Sequence, residues 1–303
     1  MDQTPIQFRS AAEFDLLPGY AGTLTCTKEE LGGIVGKYEW DEPRALLCGL
    51  NGCNRRHWHG WVIRTTDGRK THCGRDCGER EFPVSFNEFV ASFRRAEDEA
   101  ARAANVADAL KQRDEILQRA AKLEDQAASA AGRVREIADL INREPAYTKA
   151  LADALRNGGR VQRAAKVDRE LLAAMGQRTD KVSLETIGII SGGEALTQQR
   201  EIVMHLRAHA IWPLRHLTAE LLGQLNGKAL AAKSAEITAA RQALQDADTF
   251  IEIAARFTSP ANRLELAKLA EVIPSRAKNQ RVAKIASRLA MSDQTNTSAA
   301  APA

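Results

Sequence analysis

Aromatic residues make up only 5% of this 303-residue chain, too few for the cores of typical sandwiches or barrels. Alanine is abundant from residue 96 onward instead, a composition suited to closely packed helices. No segment approaches the roughly 18 consecutive apolar residues of a membrane span, so no membrane partner is expected. Met1 is followed by Asp2 and a polar stretch without the basic start and apolar run of a secretory leader, which predicts a cytoplasmic protein. No cysteine lies beyond residue 77 and no proline between Pro83 and Pro145. The first absence concentrates any thiol chemistry in one region; the second leaves room for a very long helix.

What is present begins with those cysteines. All five fall between Cys26 and Cys77, and in a reducing compartment such crowding points to metal rather than disulfides. Cys48-Gly-Leu-Asn-Gly-Cys53 gives a C-x4-C pair and Cys73-Gly-Arg-Asp-Cys77 a C-x3-C pair, each next to glycine that lets the backbone turn and aim two sulfurs at one point. The expectation is one structural zinc ion on Cys48, Cys53, Cys73 and Cys77. His57, His59 and His72 lie in the same stretch, and any of them could replace a cysteine, since imidazole and thiolate both suit zinc. Cys26, alone and upstream, is expected to be a non-ligand.

Between the two pairs, residues 60–66 and 69–72 read as strands joined at Asp67-Gly68, a strong hairpin signal. Ser85 with Glu88 then forms a capping box for a following helix. Knuckle, hairpin, knuckle, helix resembles the treble-clef and zinc-ribbon fingers over about residues 45–90, although both cysteine pairs are wider than the usual C-x2-C. That resemblance implies a small β-rich zinc module. The run Arg55-Arg56-His57-Trp58-His59 also invites comparison with HNH-type nucleases, but the expected helix offers neither the histidine nor the asparagine–histidine pair such a site needs.

Apolar or small residues at Val106, Leu110, Leu117, Ala120, Ala127, Ala131, Val134, Ala138 and Ile141 recur mainly in steps of three, four and seven, as a coiled-coil seam requires. Leu230, Ile237, Leu244 and Ile251 recur every seven residues, with Ala240, Ala247 and Ala254 interleaved. The sequence therefore predicts a mainly α fold: a zinc module over 1–85, a first stalk arm over 86–144 running as a rod of roughly 85 Å, and a helical tip insertion over 145–226. A second arm over 227–258 would pack antiparallel on the first. Basic helices over 259–290 and a disordered tail over 291–303 close the chain. Within the tip, helices are expected at 147–155, 161–175, 196–211 and 213–225, with a break at Trp212-Pro213. Part of the long helix left uncovered could also support a homodimer.

Ile187-Gly-Ile-Ile-Ser-Gly-Gly-Glu194 resembles the signature loop of ABC-type ATPases. No G-x-x-x-x-G-K-[ST] phosphate loop accompanies it, so ATP hydrolysis is not expected. Net charge is only +4 but uneven. Residues 44–80 hold eight Arg or Lys against three acids, and 274–290 five against none. Arg55, Arg56, Arg64, Arg69 and Lys70, with Trp58 and Trp61 interleaved, could hold phosphates and stack on bases; Arg281 and Lys284 on the last basic helix offer a second contact. A non-enzymatic nucleic-acid-binding protein is the favoured expectation. A protein-binding adaptor or spacer stays open beside it, and a nuclease is less expected.

Overall fold

A computed structural model describes residues 5–41, 44–165 and 184–291, and the chain divides into two compact units. One comprises Met1–Ala109 with Ala219–Ser234, the other Leu110–Thr218 with Ala235–Ala303. The protein is mainly α with a few small sheets, and no described helix is long and apolar enough to cross a membrane.

The first unit is built on a four-stranded sheet in the order β1-β2-β5-β6, formed by Ile6–Phe8, Leu31–Glu39, His59–Thr65 and Lys70–Cys73. β1 runs parallel to β2, and the other neighbours are antiparallel. A two-residue pair, β3 at Leu46–Leu47 with β4 at Arg56–His57, closes the loop carrying Cys48 and Cys53. Because side chains alternate across a strand, Trp61 and Ile63 enter one apolar cluster while Val62, between them, enters the other. The first cluster contains Cys26, Cys48, Cys73, Cys77, Leu50, Phe82 and Phe86; the second contains Phe8, Phe14, Val35 and Tyr38. The expected hairpin is present: β5 ends at Thr65, β6 begins at Lys70, and Gly68 takes the left-handed backbone (φ 90°) the turn needs.

Ala12–Asp15 forms a short α1. Two helices follow the hairpin where one was expected: α2 over Arg75–Glu81 and α3 over Ser85–Lys111. Phe86 lies so close to α2 that a Cβ on Gly78 would fall 2.3 Å from its ring. The expected rod over 86–142 is not continuous. α3 stops at Lys111 and α4 spans Arg113–Asn142, with Gln112 (ψ 3°) between them and no proline or glycine to announce the break.

The second repeat of apolar residues does form a single helix, Gly227–Thr258, ended by Ser259, whose hydroxyl accepts from the Asn262 backbone. Its direction corrects the sequence reading. In the first unit Glu99 accepts from the Gly227 backbone and Asn105 donates to the carbonyl and hydroxyl of Ser234. Contacts that advance together along both chains mean parallel helices, so residues between them form a crossover and not the hairpin an antiparallel stalk needs. In the second unit Arg119 meets Asp248 at 2.5 Å, at the offset of 129 positions that also separates Asn105 from Ser234. Periodicity marks which face is apolar and is blind to direction.

The second unit contains a large apolar cluster. Alanines and larger residues of α4, among them Ala127, Ala131, Val134 and Ile141, pack with Phe250, Ala254 and Phe257 and with the C-terminal helices. α5, Pro145–Arg156, stops at Gly158 and Gly159 in left-handed backbone as expected. The region after it is not purely helical: Arg160–Ala164 is a strand, β7, paired antiparallel with β8 at Leu184–Ile189, where a helix over 161–175 was expected. Most of that expected helix lies outside the described residues. Helical structure runs from Ile202 to Arg215 straight through Pro213. A π turn over Arg207–Ile211 absorbs the missing N–H, with the Trp212 amide donating to Arg207. A short helix at Ala219–Gln224 precedes the long one. Pro260–Ala267, Leu269–Val272 and Gln280–Met291 complete the chain. The expected tail is outside the described residues from 292 on.

Candidate metal centre

The knuckle between Cys48 and Cys53 turns through two left-handed residues, Asn51 (φ 49°) and Gly52 (φ 68°), and Asn54 (φ 52°) adds a third just after it. Asparagine tolerates that conformation better than most side chains. Asn51 also pins the loop. Its carbonyl accepts from the Cys26 amide at 2.9 Å, and its amide donates to the Cys26 carbonyl at 3.1 Å and to Glu81 at 3.0 Å. Cys48 and Cys53 are further fixed by backbone bonds, the Cys48 amide to Arg55 and the Cys53 amide to Leu50. On the other side α2 places Cys77 in its first turn, just after Gly74.

These elements bring the sulfurs of Cys48, Cys53 and Cys77 within 4.8 Å of one another, close enough to hold a metal ion. Cys53 and Cys77 approach to 3.2 Å. The sulfur of Cys73 is not within that group, although the residue is fully buried in the same cluster at the end of β6. Cys26 is buried beside them and likewise outside the trio.

The thiols differ in acidity. Burial pushes Cys77 up to about 12 and raises Cys48 and Cys73, the last well above its ordinary value. Burial also opposes ionisation of Cys53, but hydrogen bonds from Arg80 and Cys77 outweigh it and bring that thiol down to about 7. Cys53 is thus the readiest thiolate, and the others need a bound cation to displace their protons.

Three histidines were candidate replacements, and their surroundings separate them. His72 has both ring nitrogens engaged, Nδ1 with the Tyr20 hydroxyl and Nε2 with the Leu47 carbonyl, each at 2.7 Å. His59 is exposed. His57 is buried; its Nδ1 meets the Tyr38 hydroxyl at 2.8 Å while Nε2 has no hydrogen-bond partner. Burial, then the neighbouring His72 and His59, lower its pKa to about 4, which keeps the imidazole neutral.

The cations expected to touch nucleic acid divide in the same way. Arg55 and Arg56 are exposed and pair with no carboxylate among the described residues, while Trp58 and Arg64 are half-buried. Arg69 is drawn back onto Asp67 at 2.6 Å and lies 3.8 Å from Glu30. Lys70 donates to the Pro18 carbonyl. Trp61 is buried, edge-on to Phe93 at 5.5 Å, with Arg94 over its ring. Arg281 and Lys284 lie in the second unit, on the exposed face of the last helix. Sequence reasoning missed Asn51 and Arg80; only their proximity to the cysteines and to a turn-prone Asn-Gly pair could have drawn attention to them.

The loop resembling an ATPase signature proves to be a packing turn. The Ser191 amide donates to Asn262, and a Cβ on Gly192 would lie 2.5 Å from the Ile253 carbonyl. No family model, no curated protein and no solved structure matches this chain.

Proposed function

We propose that the first unit is a treble-clef-like zinc finger that binds nucleic acid without catalysing a reaction. The observation that carries this is the gathering of Cys48, Cys53 and Cys77, with Arg55 and Arg56 following Cys53 in the chain, exposed and held by no carboxylate among the described residues. A hairpin followed by a helix bearing a cysteine in its first turn supports the finger type. Zinc is the metal such a set favours, because it accepts thiolates in tetrahedral geometry. At a bond length of about 2.3 Å its sulfurs would stand roughly 3.8 Å apart, compatible with the trio. Cys73 is the proposed fourth ligand, reached by a small shift within the buried cluster, with His57 Nε2 as its rival.

Bound to zinc, four thiolates and the ion leave two negative charges, fewer than the five positive charges in excess over residues 44–80. Phosphates would then be held by Arg55 and Arg56, and Trp58 would offer an aromatic face. Arg69 and Lys70, tied to local acceptors, contribute field more than contact. Metal content of the purified protein by plasma mass spectrometry, together with oligonucleotide binding across a salt series, tests the proposal. One zinc per chain and an affinity that falls steeply with salt, and that is weaker throughout in Arg55→Glu/Arg56→Glu, are expected. Zinc without oligonucleotide binding would point to a protein adaptor instead.

A further inference from the structure

The last helix, which we number α6 (Gln280–Met291), seats itself on the second unit by a polar clamp and an apolar row. Asn279 accepts from the amides of Arg281 at 2.9 Å and Val282 at 3.0 Å, and donates to Glu144 at 3.3 Å. Val282, Ile285 and Leu289 are buried in the core. That is a clearer amphipathic pattern than the weak one the sequence suggested, because Val282 extends the row. With that face fixed, Arg281, Lys284 and Arg288, each one residue before a buried position, form a stripe flanking the apolar row at steps of three and four, and all three are exposed.

Across from them the end of α4 supplies Leu140, with Arg143 just beyond it. Together Leu140, Arg143, Arg281, Lys284, Ile285 and Arg288 line a groove of about 440 Å³. Four of the six are cations and none is acidic. None of the four pairs with a carboxylate among the described residues. The acid next in sequence, Glu144, is only 8% exposed and is turned inward to Asn279. Cations held together on rigid helices without a counter-charge raise one another's potential, and a bound anion relieves it.

We propose that this groove is a second nucleic-acid contact, which takes the phosphodiester backbone of a strand. Three of the four cations are arginines, whose planar forks match phosphate oxygens two at a time. From Arg281 to Arg288 the helix rises about 10 Å, roughly the length of three nucleotides at 3.4 Å each. Ile285 and Leu140 give the groove an apolar floor on which a sugar can rest. Every polar group in the lining is a cationic donor, and such donors meet the phosphate oxygens of a strand first, so contact is chiefly to the backbone. The argument is independent of the metal centre, which lies in the other unit.

The test uses the full chain and a fluorescein-labelled 15-nucleotide single strand, followed by anisotropy at 50 and 150 mM salt. Lys284→Glu/Arg288→Glu and Arg143→Glu should each weaken binding at least tenfold and lower the salt slope by about one for every phosphate no longer held. Their thermal transitions should match the wild type, since the side chains replaced are exposed; the charge-neutral Arg288→Gln should show a smaller loss in the same direction. Arg55→Glu/Arg56→Glu, measured alongside, separates this groove from the finger. The proposal is overturned by a wild type that does not bind, by groove variants that bind as the wild type does, or by polyglutamate of matched length displacing the strand as well as unlabelled DNA.

Discussion

The two units solve the same problem with different materials. In the first, the sheet has apolar residues on both faces, so its core is split into two clusters, and one of these is largely sulfur and aromatic rings around Cys48, Cys53 and Cys77. In the second, a large cluster rich in alanine and aliphatic side chains runs from α4 through Tyr147 to the C-terminal helices. Thiols are small, and burying several of them protonated leaves little directional interaction to fix the loops. A metal would supply it. An alanine-rich helical core needs no such staple, because its stability comes from close backbone approach and continuous apolar area.

The largest contrast is therefore expected on metal removal. Cys48→Ser, Cys77→Ser or a strong chelator should abolish the cooperative transition of the first unit, since structural zinc sites contribute apparent binding energies of about 10–16 kcal/mol. The second unit's transition should be unmoved. Calorimetry with and without chelator reads both, and a first unit that melts identically without metal would end the comparison. Next in size is Phe257→Ala: Phe257 is fully buried, and its loss should cost about 3–5 kcal/mol. That cost should fall on the second transition alone, whatever the metal content. Gly192→Ala should follow at about 1–3 kcal/mol, because Gly192 holds φ 68° and an added Cβ would meet the Ile253 carbonyl at 2.5 Å. An unchanged second transition in this variant would mean the turn is not packed as described.

A smaller, spectroscopic effect concerns the fourth ligand. Cobalt substituted into the site gives thiolate charge-transfer bands whose intensity rises with the number of sulfurs bound. Cys73→Ser should weaken those bands and His57→Ala should leave them intact. The reverse result would assign His57 Nε2, the buried nitrogen without a partner, in place of Cys73.

How much of this was legible in the sequence depends on whether a residue's role is set by its neighbours along the chain or across space. The hairpin at Asp67-Gly68, the stop of α5 at Gly158 and the end of the long helix at Ser259-Pro260 are local, and turn chemistry announces each. Cysteine spacing likewise located the knuckle and Cys77. Spacing could not say that the Cys73 sulfur would lie outside the close trio, because C-x3-C straddles the end of a strand and the first turn of a helix. The strand at Arg160–Ala164 was misread because it is short and rich in arginine and alanine, and its partner lies some twenty residues on. The break at Gln112 has no local cause at all. Exposure of single side chains was equally hidden: Arg56 and Arg69 look alike in sequence, yet Asp67 and Glu30 hold only the second.

Helix direction, expected to be antiparallel, was the deepest misreading, and it leads to the smallest effect worth measuring. A heptad repeat fits a parallel or an antiparallel neighbour equally well; what distinguishes them is which polar groups meet. Asn105 reaches the carbonyl and hydroxyl of Ser234 at 3.2 and 2.9 Å, and Glu99 reaches the amide of Gly227. Both contacts exist only if the two helices ascend together. Asn105→Ala should therefore cost the first unit about 0.5–1.5 kcal/mol, the usual net worth of such a bond. In a Ser234→Ala background part of that cost should vanish, because the two residues share the interaction. An antiparallel pairing would carry Ser234 away from Asn105. The two substitutions would then be additive, which would return the fold to the stalk that periodicity alone suggested.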